Sequence, residues 1–245
     1  MSFAGRNALF PQRRDAFKNM ETKLRFSDCT AAMMQDIFGL SQIWTSPLIE
    51  QWIQRATDMT ITEFEKTALD RLKAGLLKQG DTWNEIELIE YFIGPLLMLV
   101  DFNTDYFKIF SERRISARVG EYELYGEPDA CVATGTYYPK TPFFCFNEYK
   151  RMEDSKGDAL GQVLAEMLAA HTLNAEGTPI YGVYVVDKVW YFVVLHDKQY
   201  CITEGHYAPH DTDLRGIWNM LNALKLILLD IAKTKVQHAG NSSKV

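Results

Sequence analysis

The chain has no long apolar run. Its longest uninterrupted apolar stretch, Phe92 to Val100, contains Gly94 and Pro95. It falls well short of the roughly 20 residues that a membrane-spanning helix requires, so no membrane partner is expected. The N-terminus lacks the apolar core of a secretory leader, and a cytoplasmic location is the expectation. Cysteine is scarce: Cys29, Cys131, Cys145 and Cys201 show no CxxC spacing, which argues against disulfides and zinc. Where cysteines fall in apolar strand runs they read as small hydrophobes. His206 and His210 have the spacing of a helical metal pair, but Pro209 lies between them and a loop is expected. No GxxxxGK[ST] stretch occurs, so nothing cradles a nucleotide phosphate in the P-loop manner, and residues 1–80 show no internal repeat. Nor is there a basic excess. The net charge of −6 argues against a protein that coats nucleic acid indiscriminately. Local groups are another matter: Arg6, Arg13, Arg14, Lys18, Lys23 and Arg25 crowd one end, and Arg113, Arg114 and Arg118 another stretch. Each group suits phosphate or a solvated face equally well.

What is present describes a globular protein. Apolar residues make up 47% and charged residues 24% of 245, ordinary values for a folded domain. The length suits one large domain or one core with an extension. Residues 1–80 read as a helical extension. Ser46-Pro47 can open a helix through Trp52 and Ile53, and Thr60 to Glu63 can open another carrying Phe64, Ala68, Leu69, Leu72 and Leu76. A further helix starts around Asn84-Glu85, with Ile86, Ile89, Ile93, Leu96 and Leu97 as its apolar stripe. Glu85, Glu87 and Glu90 load its first turns with acid, where the helix dipole favours negative charge. Strands are expected over Ile115 to Tyr125, Asp129 to Thr134 and Phe143 to Lys150. A polar break at 154–157 and a helix from Asp158 to His171 follow. Next come a hairpin, Ile180 to Val186 and Val189 to Leu195, then an edge strand at Tyr200 to Ile202. An amphipathic helix from Leu214 to Val236, suited to packing or to a homodimer, and a frayed tail from His238 close the chain. The boundaries expected are an extension over 1–80, a core over 81–205, and a C-terminal helix and tail over 206–245.

The stretch from Gly126 to Lys150 carries the chemistry. Side chains alternate faces along a strand, so Glu148 and Lys150 project from one face of a strand that is otherwise aromatic or apolar. Unpaired charge there is costly. Asp129 stands nineteen positions earlier, behind Gly126 and Pro128. If the two segments pair, Asp129, Glu148 and Lys150 meet at one end of a sheet. Two adjacent carboxylates repel unless a cation sits between them, and a lysine beside them can steady phosphate charge. The plainer account is a hairpin with a surface ion pair.

Pro128-Asp129 followed by Glu148-Tyr149-Lys150 resembles the PD-(D/E)XK nuclease superfamily, the restriction-endonuclease-like fold. In pattern the chain is most similar to the nuclease domain of type I restriction-enzyme motor subunits. The likeness covers roughly residues 81–200. It implies an α/β core of helix, three strands, helix and strand, here with the N-terminal helical extension and the C-terminal helix added. It also implies a divalent-metal-dependent endonuclease using Mg²⁺ or Mn²⁺, with DNA as the expected substrate. Asp129 and Glu148 would hold the metal, with water and the Tyr149 carbonyl. The early helix glutamate would complete the shell; Glu85 matches the pattern, and Glu90, on the expected inward stripe, is its rival. Lys150 would position water or stabilise charge. Gln162, which shares a helix face with Glu166, would assist. Type I motor subunits carry a fused ATPase that this chain does not show, which puts a restriction role in doubt. A catalytically inert nuclease-fold binding or regulatory module is the alternative, and a small-molecule phosphohydrolase is a third class.

Overall fold

The structure, a computed structural model, describes residues 22–150, 157–174 and 177–242. Arg6, Arg13, Arg14 and Lys18, and positions 154–156 of the expected polar break, lie outside the described residues.

The segment expected to be helical contains two strands, β1 (Thr22–Arg25) and β2 (Ser41–Gln42), on either side of α1 (Ala31–Phe38). Both strands are too short to announce themselves, because their partners lie more than 90 residues downstream. α2 (Pro47–Thr57) begins at Ser46, whose hydroxyl accepts from the Leu48 N–H. Pro47 occupies the first turn, where a missing N–H costs nothing. α3 (Glu63–Gln79) starts at a Thr62–Glu65 capping box. It buries Leu69 and Leu76 but leaves Phe64 74% exposed, so its apolar stripe begins a turn later than the spacing predicts.

A second capping box, Asn84 with Glu87, opens α4 (Glu85–Leu88). One π-turn, Ile89–Ile93, connects it to α5 (Gly94–Val100). The extra residue of a π-turn shifts the helix phase by about 100°. Leu88, Phe92, Ile93, Leu96 and Val100 therefore face the core, whereas Ile86 is 66% exposed and Glu90 is exposed as well. The unbroken stripe that placed Ile86 and Glu90 inward does not form.

The remaining elements are β3 (Lys108–Ser111), β4 (Ile115–Val119), β5 (Tyr122–Gly126), β6 (Ala130–Thr134), β7 (Lys140–Lys150), α6 (Ala159–Leu173), β8 (Ile180–Val186), β9 (Val189–His196), β10 (Gln199–Ile202), β11 (His206–Tyr207) and α7 (Asp211–Ser242). The main sheet runs β2-β10-β9-β8-β7-β6-β3, with β11 added to β9. β7 and β8 are parallel and joined through α6, the crossover that parallel neighbours require. Elements cover both faces of β8, which is why it reads as a near-continuous apolar run. The expected strand over Ile115 to Tyr125 is instead the β4–β5 hairpin. It forms a separate small sheet, β1-β5-β4, and the first strand of the main sheet's motif group is β3. β10 is not an edge, since β2 lies outside it. His206 belongs to β11 rather than to a loop, and α7 begins three residues earlier and continues past His238.

α6 lies between the main and small sheets and is buried all round from Gly161 to Ala170. Asp158 ties two helices together. Its Oδ1 accepts from the Gly161 N–H at 3.0 Å, capping α6, and its Oδ2 accepts from the Ala31 N–H at 2.7 Å, at the start of α1. Asp158→Ala removes both bonds, and urea denaturation should show a loss of about 1–3 kcal/mol. On the sheet's other face, Trp52 of α2 donates from Nε1 to the Met220 carbonyl of α7 at 2.8 Å. Its ring meets Tyr181 and Phe192 edge-on, with centroids 5.3 Å apart in each case. Cys29, Cys131 and Cys201 are buried free thiols.

Candidate active site

β6 and β7 are antiparallel, with Ala130 opposite Asn147. One step beyond, the same register sets Asp129 beside Glu148. The Asp129 side chain is tied down here: Oδ2 accepts from the Tyr149 N–H at 2.7 Å. The Glu112 N–H approaches the Pro128 and Asp129 carbonyls at 3.2 and 3.3 Å, which anchors the turn leading into β6. On the far side of β7, the Asp187 N–H donates to the Lys150 carbonyl at 2.7 Å and holds the strand end against β8.

Alternation along β7 sends Glu148 and Lys150 toward α6, while Tyr149 packs into the opposite core with Phe144 and Val132. Glu148 is fully buried. Lys150 Nζ stands 2.6 Å from Glu148 Oε1 and 3.9 Å from Glu85 Oε2. Thus strand and helix residues more than 60 positions apart meet around one amine. Glu85 is the glutamate of its helix that reaches Lys150. Glu90 lies on the π-turn and lines a pocket with Asp129.

Gln162 enters through a residue that the motif reading passed over. Its Nε2 donates to Glu166 Oε1 at 3.4 Å, and Glu166 is fully buried. A signal for it existed: a single acid stands within the apolar stretch Val163 to Ala170, at i+4 from Gln162. Among the described residues, neither Glu148 Oε2 nor Glu166 Oε2 has a hydrogen-bond partner.

Electrostatics follow from this crowding. Burial, and then the Asp129 carboxylate, push Glu148 up to about 8, against the pull of Lys150. Burial raises Glu166 well above the usual carboxylate range, helped by Glu148 and Asp129. Asp129 is also raised by burial, although the Tyr149 N–H and Lys150 oppose this. Lys150 shows the reverse balance. Burial lowers it, but Glu148, Asp129 and Glu85 together outweigh that and raise it. The amine therefore stays charged at neutral pH.

Among the described residues, no group of three or more Asp, Glu, His or Cys side chains is placed so that it could hold a metal ion. The donor chemistry nevertheless fits a hard cation. Glu148 offers a buried oxygen with no partner, Asp129 and Glu85 bring further carboxylates, and each acid raises the cost of ionising Glu148. An uncompensated buried carboxylate is expensive, and a divalent cation is the ordinary remedy. No protein-family model matches the chain, and a search of curated proteins finds no match.

Proposed function

We propose that the chain is a divalent-metal-dependent nuclease acting on DNA, with a restriction-endonuclease-like core made of the α4–α5 helix, strands β3, β6 and β7, helix α6 and strand β8. The observation that carries this reading is the convergence of Asp129, Glu148, Glu85 and Lys150 at one end of the sheet, with Glu148 wholly buried and one of its oxygens unpartnered. A site that combines buried acid, mutual repulsion and a charged amine is built for a ligand.

Asp129 and Glu148 would hold Mg²⁺ or Mn²⁺, with Glu85 as the helix donor. The ion supplies stabilisation of the negative charge that builds on the phosphate oxygens. Asp129 is held in place by the Tyr149 N–H and needs no reorganisation to present its other oxygen. Lys150, kept protonated by three carboxylates, is a hydrogen-bond donor rather than a base. It orients the attacking water or neutralises a non-bridging oxygen. Gln162 donates to Glu166, which burial and the neighbouring acids keep protonated, so that Glu166 backs Glu148 without adding a like charge.

Nicking of a supercoiled plasmid in Mg²⁺ tests the proposal. The wild type should convert it to open circles, and Lys150→Ala should be slower by about 10²–10³-fold, the usual cost of losing one stabilising donor. Equal rates in the two proteins would end the reading. The acidic net charge of −6 favours a second reading, an inert nuclease-fold binding module. Calorimetric titration with Mn²⁺ separates the two, because an inert module has no need to bind the ion.

A further inference from the structure

Beside the carboxylates lies a pocket of about 370 Å³, within the roughly 300–1,000 Å³ typical of small-ligand sites. Its back wall is apolar: Ile89 and Ile93 of the π-turn, Leu97 and Met98 of α5, and Ile109 of β3. The π-turn shapes this wall by rotating α5 out of phase with α4, a distortion that recurs at functional sites. Polar groups stand at particular places in the lining: Asp129, Glu90, Asn103 and Ser111. The pocket adjoins the candidate active site through Asp129, which lines it together with Tyr149, whereas Glu85, Glu148 and Lys150 stand outside its lining.

We infer that this pocket receives an unpaired nucleobase of the substrate strand, next to the phosphate being cleaved, and that the enzyme accordingly acts on single-stranded or flapped nucleic acid in preference to blunt duplex. The inference rests on the nuclease reading. Charge complementarity selects the occupant. Among the described residues, the lining carries two carboxylates and no cationic side chain, so a phosphate is repelled. A neutral ring suits the apolar wall, and every base presents at least one N–H donor on its pairing edge to a carboxylate or to Asn103. A base in a duplex is already paired and stacked. Extracting it means giving up that pairing and stacking, whereas a base in a single strand is free to enter. Burying the face of one base against this aliphatic wall removes apolar surface of both from water. That burial favours the unpaired strand.

Met98, 69% exposed, provides a test that leaves the fold alone. Fluorescence anisotropy in Ca²⁺ would compare a labelled 12-mer oligodeoxynucleotide with its blunt duplex, for the wild type and for Met98→Glu. The wild type should bind the single strand at least about 10-fold more tightly. Met98→Glu should collapse that ratio toward one by adding charge to the apolar wall. Because the new charge acts on both probes, only a change in their ratio reports on the pocket. A wild type that binds the two probes equally, or a ratio unmoved by Met98→Glu, overturns the pocket assignment. The nuclease reading then still stands if the wild type nicks the plasmid. Failure both to bind and to nick overturns the two together.

Discussion

Glu148→Gln is expected to melt at a higher temperature than the wild type in the presence of a chelator, and to lose cleavage. Glu148 is fully buried, and its folded-state value stands near 8, against an ordinary carboxylate value of 4.5. Between those two pH values the folded chain retains a proton that the unfolded chain releases. Stability therefore falls as pH rises through this window and levels off above it. Glutamine has the same shape without the ionisation, so at pH 7 the substitution recovers on the order of 3 kcal/mol. For a chain of this length that corresponds to roughly 6–12 °C. Melts at pH 4.5 and pH 7 in EDTA check the sign: the difference between the two proteins should be large at pH 7 and small at pH 4.5. A stabilisation that is the same at both values would show that the burial of Glu148 is not its source. Adding Mn²⁺ should raise the melting temperature of the wild type by mass action and leave Glu148→Gln almost unmoved. Both effects together would mark Glu148 as retained for function rather than for stability, since active sites concentrate such strain.

The second large effect is steric. Gly161→Ala should destabilise the protein by about 3 kcal/mol or more, although alanine is the better helix former by roughly 1 kcal/mol. A Cβ at Gly161 would lie 2.4 Å from both the Thr30 Cα and carbonyl carbon, and 2.6 Å from the Ala31 nitrogen. These are backbone atoms, with no rotamer to swing aside, so overpacking outweighs propensity. α1 would have to lift off α6, breaking the Asp158–Ala31 hydrogen bond and exposing Met34 and Phe38, both buried. Gly75→Ala in α3 is the control. A Cβ there meets its nearest atom, on the Trp83 ring, at an ordinary 3.9 Å, so this substitution should be neutral or mildly stabilising. Urea denaturation of the two variants separates geometry from propensity. Equal stability of Gly161→Ala and wild type would mean that α1 does not seat on α6 as closely as the structure places it.

Local chemistry alone determined a good deal here. Capping residues at Ser46 and Thr62, the alternation of Glu148 and Lys150 along β7, and the β8–β9 hairpin depend on neighbours a few residues away. Those interactions are written in the order of the residues. That the Asp129 and Glu148 segments are neighbouring strands was also foreseeable from the short turn between them, but which residues meet was set by the register shifts between Val132 and Thr134. Tertiary structure decided the rest. β1 and β2 exist only because distant strands offer them edges, so no local pattern announced them. The π-turn shifted the faces of the α4–α5 helix and left Glu85, not Glu90, beside Lys150; one added residue in a turn is a packing outcome that no periodicity encodes. Glu166 belongs to the site because the crossover sets α6 across β7 and β8. Burial, and with it the raised ionisation range of Glu148, is a property of what surrounds a side chain in space, and a one-dimensional list of residues does not contain it.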